Sequence, residues 1–147
     1  MTISGSCLCG EISYKCNGDI KMIINCHCED CQAATGSVHG TMLFVSGDDL
    51  EINGSPKTFS HSADSGNTLT KHFCGSCGSQ LFGTNTMREG VYGIRAGTVH
   101  QKDSIKPGMN IYLDSAVPST PMDPPNKFAA SVPHGKPAGR CSKRCNA

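Results

Sequence analysis

Cysteine is the residue of this sequence whose number and spacing point most directly to chemistry. The chain has 10 cysteines in 147 residues, and seven of them fall in three short motifs. The motifs are Cys7-Leu8-Cys9, Cys26-His27-Cys28-Glu29-Asp30-Cys31 and Cys74-Gly75-Ser76-Cys77. Two motifs place thiols too close in sequence to pair comfortably as disulfides, and clustered thiolates are good ligands for metal ions. The pattern therefore indicates metal coordination.

Cys74 and Cys77 form a C-x-x-C motif of the kind found in zinc knuckles. The glycines of the motif permit the left-handed backbone that turns amides toward the sulfurs. A redox C-x-x-C motif would normally begin a helix after a strand, whereas residues 80–83 continue as strand-like sequence. Cys7 and Cys9 can supply the other two ligands of a tetrahedral site.

The central motif brings Cys26, Cys28 and Cys31 within six residues, so they can converge on one ion unaided. Three protein ligands leave a coordination position open, which is the usual arrangement of catalytic zinc, whereas four cysteines usually make a structural site. The seven thiols suggest four for structure and three for chemistry. Spacing alone does not fix that division, since His27 could complete the second site and make it structural.

The order of these motifs resembles the glutathione-dependent formaldehyde-activating enzyme family, which includes the centromere protein V group. The resemblance is carried by residues 5–10, by the central motif followed by Thr35-Gly36-Ser37, and by residues 73–79. Residues 94–98 and 110–114 look like the later strands of that family. The match covers about residues 4–115.

The resemblance implies a fold shared with a family of Rab-binding zinc factors and two zinc ions per chain. It implies that a structural zinc is held by Cys7, Cys9, Cys74 and Cys77, and a second, open zinc by the three central cysteines. It also implies a small-molecule substrate, with glutathione as a possible co-substrate joined to formaldehyde to give S-hydroxymethylglutathione. The formal class is a carbon-sulfur lyase.

Several segments depart from the family pattern. Gln32-Ala33 stands where basic residues are common, residues 97–101 read Gly-Thr-Val-His-Gln, and Asn110 occupies a frequent histidine position. The chain has no tryptophan, although one usually follows the later strand. These departures concern the substrate pocket rather than the metal ligands.

Three functions are therefore considered. The first is an enzyme acting on a thiol adduct, an aldehyde or a related small electrophile. The second is a non-catalytic binding module stabilised by two structural zinc ions. A relative of the methionine sulfoxide reductases ranks last, because it needs a reactive cysteine outside the metal sites and only Cys16, Cys141 and Cys145 are left.

His39 and Arg95 are the candidates for proton transfer and anion binding respectively. The competing interpretation makes His39 an exposed turn residue and places Arg95 on the polar face of its strand. Cys16 lies on the apolar face of a predicted strand, where a free cysteine behaves as a small hydrophobe. Cys141 and Cys145 are interpreted as exposed tail residues.

The elements that must position these residues are mostly short strands. β-Branched and aromatic residues recur between glycine-bearing turns, which predicts an all-β domain of packed antiparallel sheets with zinc-binding knuckles. The single predicted helical turn covers Glu29–Thr35 and stops at Gly36. The predicted strands are residues 11–16, 20–24, 41–45, 50–52, 68–73, 91–96 and 110–113.

Length and composition predict one zinc-binding domain over residues 1–116 and a proline-rich, extended segment over residues 117–147, with a mobile end. No secretory signal is visible, so a cytoplasmic location is expected. The formal charge of +1 does not resemble that of a nucleic-acid-binding protein, and no apolar run is long enough for a membrane helix. The sequence leaves the oligomeric state open.

Overall fold

A computed structural model describes residues 2–63 and 65–122 of the chain. Short strands dominate this part, with one helix, α1, at Glu29–Thr35. The strands are β1 (Ile3–Ser6), β2 (Ser13–Cys16), β3 (Met22–Cys26), β4 (Gly40–Ser46), β5 (Leu50–Asn53), β6 (Lys57–Ser62), β7 (Thr68–Phe73), β8 (Gln80–Asn85), β9 (Val91–Arg95) and β10 (Met109–Ile111). The predicted helical turn has the predicted bounds.

The strands form two sheets. The smaller has three strands in the order β1-β2-β5, and the larger has seven in the order β10-β3-β4-β9-β8-β7-β6. Neighbouring strands run antiparallel except that β10 lies parallel to β3. The prediction of an all-β fold with packed antiparallel sheets is confirmed, and the parallel pair at one edge is an addition to it.

Alternation along the strands decides which side chains enter the core. In β2, Tyr14 and Cys16 are buried while Ser13 and Lys15 are not, as expected for a strand with one face against the core. Cys16 is fully enclosed in the apolar cluster between the sheets. Its thiol therefore packs as a small hydrophobic group.

The two sheets meet through an aromatic contact. The rings of Tyr14 and Phe82 lie edge to face with centroids 5.1 Å apart. The Tyr14 hydroxyl is 2.9 Å from Thr98 Oγ1, which satisfies the buried polar end of the ring. Gly5 passes so close that a Cβ there would clash with both the Tyr14 hydroxyl and the Thr98 carbonyl. The first strand can approach the core only because position 5 is a glycine.

Strand bounds differ from the predicted ones where pairing rather than composition decides them. β1 and β6 were not predicted, and β3 lies two residues later than its prediction. The β6 sequence Lys-Thr-Phe-Ser-His-Ser is largely polar and exposed, so its strand conformation comes from pairing with β7 over all six residues. The later position of β3 matters for the site, because the strand ends at Cys26 itself.

In the part of the chain that the structure describes, no helix combines the length and apolar character needed to cross a membrane. Residues 123–147, with Cys141 and Cys145, lie outside the described residues. The proposed boundary at residue 116 and the extended character of the segment after it remain predictions.

Candidate metal centre

Four cysteines from two distant parts of the chain, one after β1 and one between β7 and β8, meet in one cluster. The sulfur atoms of Cys7, Cys9, Cys74 and Cys77 all lie within 4.8 Å of one another. Cys9 Sγ is 3.5 Å from Cys7 Sγ and 3.7 Å from Cys74 Sγ, although 65 residues separate Cys9 from Cys74. The first and third motifs, which the sequence could only suggest as partners, therefore share one site.

Two similar turns hold these sulfurs. A glycine with left-handed backbone follows the second cysteine of each motif, with φ of 78° at Gly10 and 76° at Gly78. The Ile12 amide donates to Cys7 Sγ at 3.3 Å, and the Leu8 amide donates to Ser79 Oγ at 3.0 Å, which joins the two turns. Hydrogen bonds from the side chain and backbone of Ser79 lower the pKa of Cys77 to about 5. The second turn thus favours the thiolate of Cys77, the form that binds metal.

The second cluster contains Cys26, Cys28 and Cys31, again with sulfurs within 4.8 Å of one another. Cys26 ends β3, Cys28 caps the start of α1, and Cys31 lies in the first turn of that helix. The Cys26 and Cys28 sulfurs are 3.3 Å apart, and the Cys31 amide donates to Cys28 Sγ at 3.3 Å. One strand-to-helix junction therefore places all three thiols.

Arg95 is buried beside this cluster, with only 7% of its surface exposed. Hydrogen bonds from Cys26 and Cys28 lower the pKa of the Cys31 thiol to about 2, and the charge and hydrogen bond of the Arg95 guanidinium act in the same direction. Cys31 is therefore the first of the three to carry a thiolate. Nε and Nη1 of Arg95 have no hydrogen-bond partner among the described residues. A buried cation is costly unless its N–H groups have acceptors. The unpartnered N–H groups of Arg95 therefore indicate that the site accommodates more negative charge than the protein side chains supply.

His27 is buried between two of the cysteines, but its ring is directed toward Asn110. His27 Nε2 donates to Asn110 Oδ1 at 3.1 Å, and Asn25 Nδ2 donates to the same oxygen at 3.1 Å. Thr41 Oγ1 completes the chain by donating to Asn25 Oδ1 at 2.7 Å. Among the described residues, the set of potential metal ligands at the second cluster consists of the three cysteines and does not include His27. The imidazole thus braces the motif from behind, and the arrangement does not favour it as a fourth ligand.

His39 lies next to this network. Its ring centroid is 5.0 Å from that of His27, and its Nδ1 is 3.5 Å from Thr41 Oγ1. Burial lowers the pKa of His39, and the neighbouring His27 lowers it further, so the ring is neutral at pH 7. The structure therefore places both candidates chosen from the sequence near the second cluster. Arg95 contacts a sulfur of the cluster, whereas His39 contacts the ring of His27.

Sequence reasoning missed two residues near the second cluster. Burial lowers the pKa of Lys71 while the charges of Cys31 and Asp30 partly restore it, which places this lysine within electrostatic reach of the thiolates. Tyr112 is the non-glycine residue with positive φ, 58°, in the described chain, and burial followed by the three cysteine charges raises its pKa. The Tyr112 hydroxyl therefore stays protonated. A strained backbone of this kind occurs most often at functional sites and cannot be read from sequence.

Gln32 stands where the resembled family often has a basic residue, and the structure gives it a bracing role. Its amide nitrogen donates to the His27 carbonyl at 2.7 Å and to the Ser115 carbonyl at 2.8 Å. The departure from the family pattern therefore ties α1 to the segment after β10.

Both clusters suit zinc by the chemistry of their donors. Each offers only sulfur atoms, close enough to share one ion, and backbone amides donate to a sulfur in each. Four thiolates close a tetrahedral site, and three leave one position for another ligand. The unpartnered Arg95 donors fit the negative charge of a three-thiolate site.

Comparison with known proteins gives a family and a fold. The family model described as glutathione-dependent formaldehyde-activating enzyme matches residues 2–115. The crystal structure of a Rhodobacter sphaeroides protein superimposes with a TM-score of 0.53 and 16% sequence identity, covering 67% of this chain and 88% of that chain. At this identity the likeness concerns the fold alone. No curated protein matches the sequence.

Proposed function

The chain belongs to the glutathione-dependent formaldehyde-activating enzyme family, and from that premise we propose that it is a zinc-dependent enzyme of the carbon-sulfur lyase type. Its substrate would be a small thiol adduct, an aldehyde or a related electrophile. The observation that carries the proposal is the three-thiol cluster at the β3-to-α1 junction, with the buried Arg95 guanidinium against it.

In this proposal Cys7, Cys9, Cys74 and Cys77 hold a structural zinc and the three central cysteines hold a second one. The second zinc, when bound, would supply a coordination position at which a thiol loses its proton at neutral pH. Two ions per chain are therefore expected. The residue sets are those that the family resemblance implied, and the sulfur distances support them.

Arg95 would have a role at the metal site before any substrate binds. Its guanidinium hydrogen-bonds to Cys31 and keeps that sulfur in the thiolate form needed for metal binding. The remaining N–H groups of Arg95 can hold further negative charge that enters with a substrate. Anion binding at Arg95 would thus serve the cluster as well as the substrate.

His39 would serve as the proton acceptor, because its neutral ring lies at the edge of the His27–Asn110 network. Tyr112, which packs against the cluster, would supply a protonated hydroxyl. A thiol adduct forms when the thiol gives up its proton and sulfur bonds to the carbonyl carbon, while the C=O π bond opens and its oxygen takes up a proton; in the reverse step the oxygen loses its proton and the sulfur regains one. One neutral imidazole and one protonated phenol meet both needs.

Glutathione and formaldehyde are the first pair to test, since the family is named for them. Zinc K-edge spectroscopy with and without glutathione should show a change in the sulfur shell of one of the two ions. Turnover of the pair, and of other thiols with other aldehydes, should then be measured for the wild type and for Cys31→Ser.

Loss of turnover in Cys31→Ser, with the fold and the first ion intact, is the expected result. A second ion bound by four protein ligands that no thiol displaces would overturn the enzyme proposal. In that case the chain would be a zinc-stabilised binding module, the alternative that the sequence left open.

A further inference from the structure

A cavity of about 510 Å³ lies beside the second cluster, between α1 and the strands at one end of the larger sheet. Cavities of several hundred cubic ångströms are the usual size for small-molecule sites. Its walls are mainly apolar, with one basic pair among them. The residues that matter for its chemistry are Ala33, Ala34, Phe59, His61, Lys71 and Phe73.

The cavity lies next to the three-thiol cluster in the structure. Asp30, which lines it, directly precedes Cys31 in α1. Lys71 feels the charges of Cys31, Asp30 and Cys28. At the other end, the Gln80 side chain reaches across and donates to the Ala34 carbonyl, which fixes β8 against α1. The cavity therefore borders the helical turn that carries Cys31.

Phe59 exposes an apolar surface that the fold does not explain. The ring is 57% exposed although its strand pairs with β7 along its whole length, and it stacks on His61 with a centroid distance of 6.1 Å. Together with Phe73 and two alanines of α1, it forms a wall that water wets poorly. An apolar group placed there would bury the Phe59 ring.

Lys71 and His61 form the polar part of the wall. Lys71 Nζ is 2.6 Å from His61 Nε2, so the amine donates to that ring nitrogen. Lys71 lies directly opposite Phe59 in the β6–β7 pair, and His61 is its diagonal neighbour, two positions beyond Phe59. An ammonium or amine has further N–H bonds to offer a ligand. The wall thus combines an apolar surface with one hydrogen-bond donor directed at the same space.

We propose that this cavity binds the carbonyl substrate through an apolar aryl or alkyl substituent, with Lys71 donating a hydrogen bond to its oxygen. This assignment rests on the proposed function and names the substrate class of that site. Glutathione suits the cavity less well, because it carries two carboxylates and an ammonium group, whereas the walls are mainly carbon and offer one basic pair, Lys71 and His61, beside the Asp30 carboxylate. The thiol partner therefore enters from another side of the cluster.

The test uses the zinc-loaded full chain and two probes of nearly equal shape, acetophenone and ethylbenzene. They differ in the carbonyl oxygen, and a ketone condenses only slowly with surface amines. Dissociation constants would be measured by nuclear magnetic resonance titration, following the amides of α1, β6 and β7. Wild-type protein should bind acetophenone about tenfold more tightly, the contribution expected of one hydrogen bond from a basic group.

Lys71→Met should remove that preference while leaving ethylbenzene binding unchanged, and Phe59→Ala should weaken both probes about equally. Lys15→Met on the smaller sheet and Met87→Ala, an equally exposed apolar residue outside the cavity, are the matched controls. Equal weakening of both probes by Lys71→Met, or shifts that miss the cavity residues, would overturn the proposal.

The same experiment separates the two proposals. A Lys71-dependent preference for acetophenone without turnover of any thiol and aldehyde pair would leave the binding site standing and remove the lyase activity. Turnover of an aldehyde with an aryl or alkyl substituent that is unaffected by Phe59→Ala and Lys71→Met would do the reverse.

Discussion

Gly40 and Arg95 are in close contact, because the guanidinium lies next to the space that a side chain at position 40 would occupy. A Cβ on Gly40 would lie 2.9 Å from Arg95 Nη1 and 3.5 Å from Cys31 Cβ. The absence of a side chain at the start of β4 therefore leaves the space in which the guanidinium reaches the thiolate of the second cluster.

Gly40→Ala should push Arg95 away from Cys31 and weaken metal binding at the second site without touching a ligand. We expect the unfolding free energy to fall by about 1 to 3 kcal/mol, the usual effect of overpacking. Zinc per chain and competition with a chelator would measure the loss. Gly83→Ala is the control, because a Cβ there meets nothing within 4 Å. Equal zinc affinity in both variants would show that the Gly40–Arg95 contact is unimportant for the metal.

The two clusters should respond differently to loss of one ligand. Cys74→Ser should unfold the domain or make it insoluble, because a structural zinc contributes its binding free energy to folding. Cys31→Ser should keep the fold and lose one ion. Metal analysis together with thermal unfolding by circular dichroism would compare them. A folded, soluble Cys74→Ser protein would contradict the structural role of the first cluster.

Asn110→Leu should destabilise the protein by about 2 to 4 kcal/mol, because it removes an acceptor shared by two buried donors. Those donors are His27 Nε2 and Asn25 Nδ2. Urea unfolding would measure the change. Asn17→Leu, at an exposed position, should shift the midpoint very little. Since His27 lies between two cysteines, zinc at the second site should weaken in Asn110→Leu as well, and an unchanged midpoint would contradict the bracing role.

Stability should fall with rising pH because of Tyr14. Burial raises the pKa of Tyr14 from its usual 10.0 to about 12, although the Thr98 hydrogen bond acts against this. Between pH 10 and 12 the folded protein keeps a proton that the unfolded chain has lost, so the stability is fully present below pH 10 and declines above it. The decline should be about 2 to 3 kcal/mol.

Tyr14→Phe isolates this contribution from that of the thiols and lysines. The difference in unfolding free energy between wild type and Tyr14→Phe should narrow from pH 10 to 12. A difference that stays constant across this range would show that the hydroxyl ionises as freely in the folded protein as in the unfolded chain.

The parts of the molecule that were predictable from sequence are those fixed by local geometry. Cys26, Cys28 and Cys31 stand within six residues, so a turn of any kind brings them together, and Gly36 marks the end of α1 with its left-handed backbone. The alternation in β2 likewise predicted its buried face. Short-range spacing leaves few other conformations open.

The parts that were not predictable depend on strand pairing. Lys71 meets His61 because β6 and β7 pair in one register, and a one-residue shift of β6 would turn His61 to the opposite face. The polar β6 sequence gives no strand signal by itself. The cavity and its basic pair therefore exist only in the assembled sheet. The position of the Arg95 side chain also depends on strand pairing, because its guanidinium packs against Gly40 of the neighbouring strand β4.

The long sequence separation within the first cluster has a consequence for biosynthesis. Cys9 and Cys74 must find each other across 65 residues, whereas the central three cysteines emerge from the ribosome almost together. At a translation rate of about 5 to 20 residues per second, Cys77 is synthesised on the order of 3 to 14 seconds after Cys7 and Cys9. The three-thiol cluster can therefore load its ion while the chain is still nascent. The four-thiol site forms later, once Cys74 and Cys77 have been synthesised. It then links the first cysteine motif to the larger sheet.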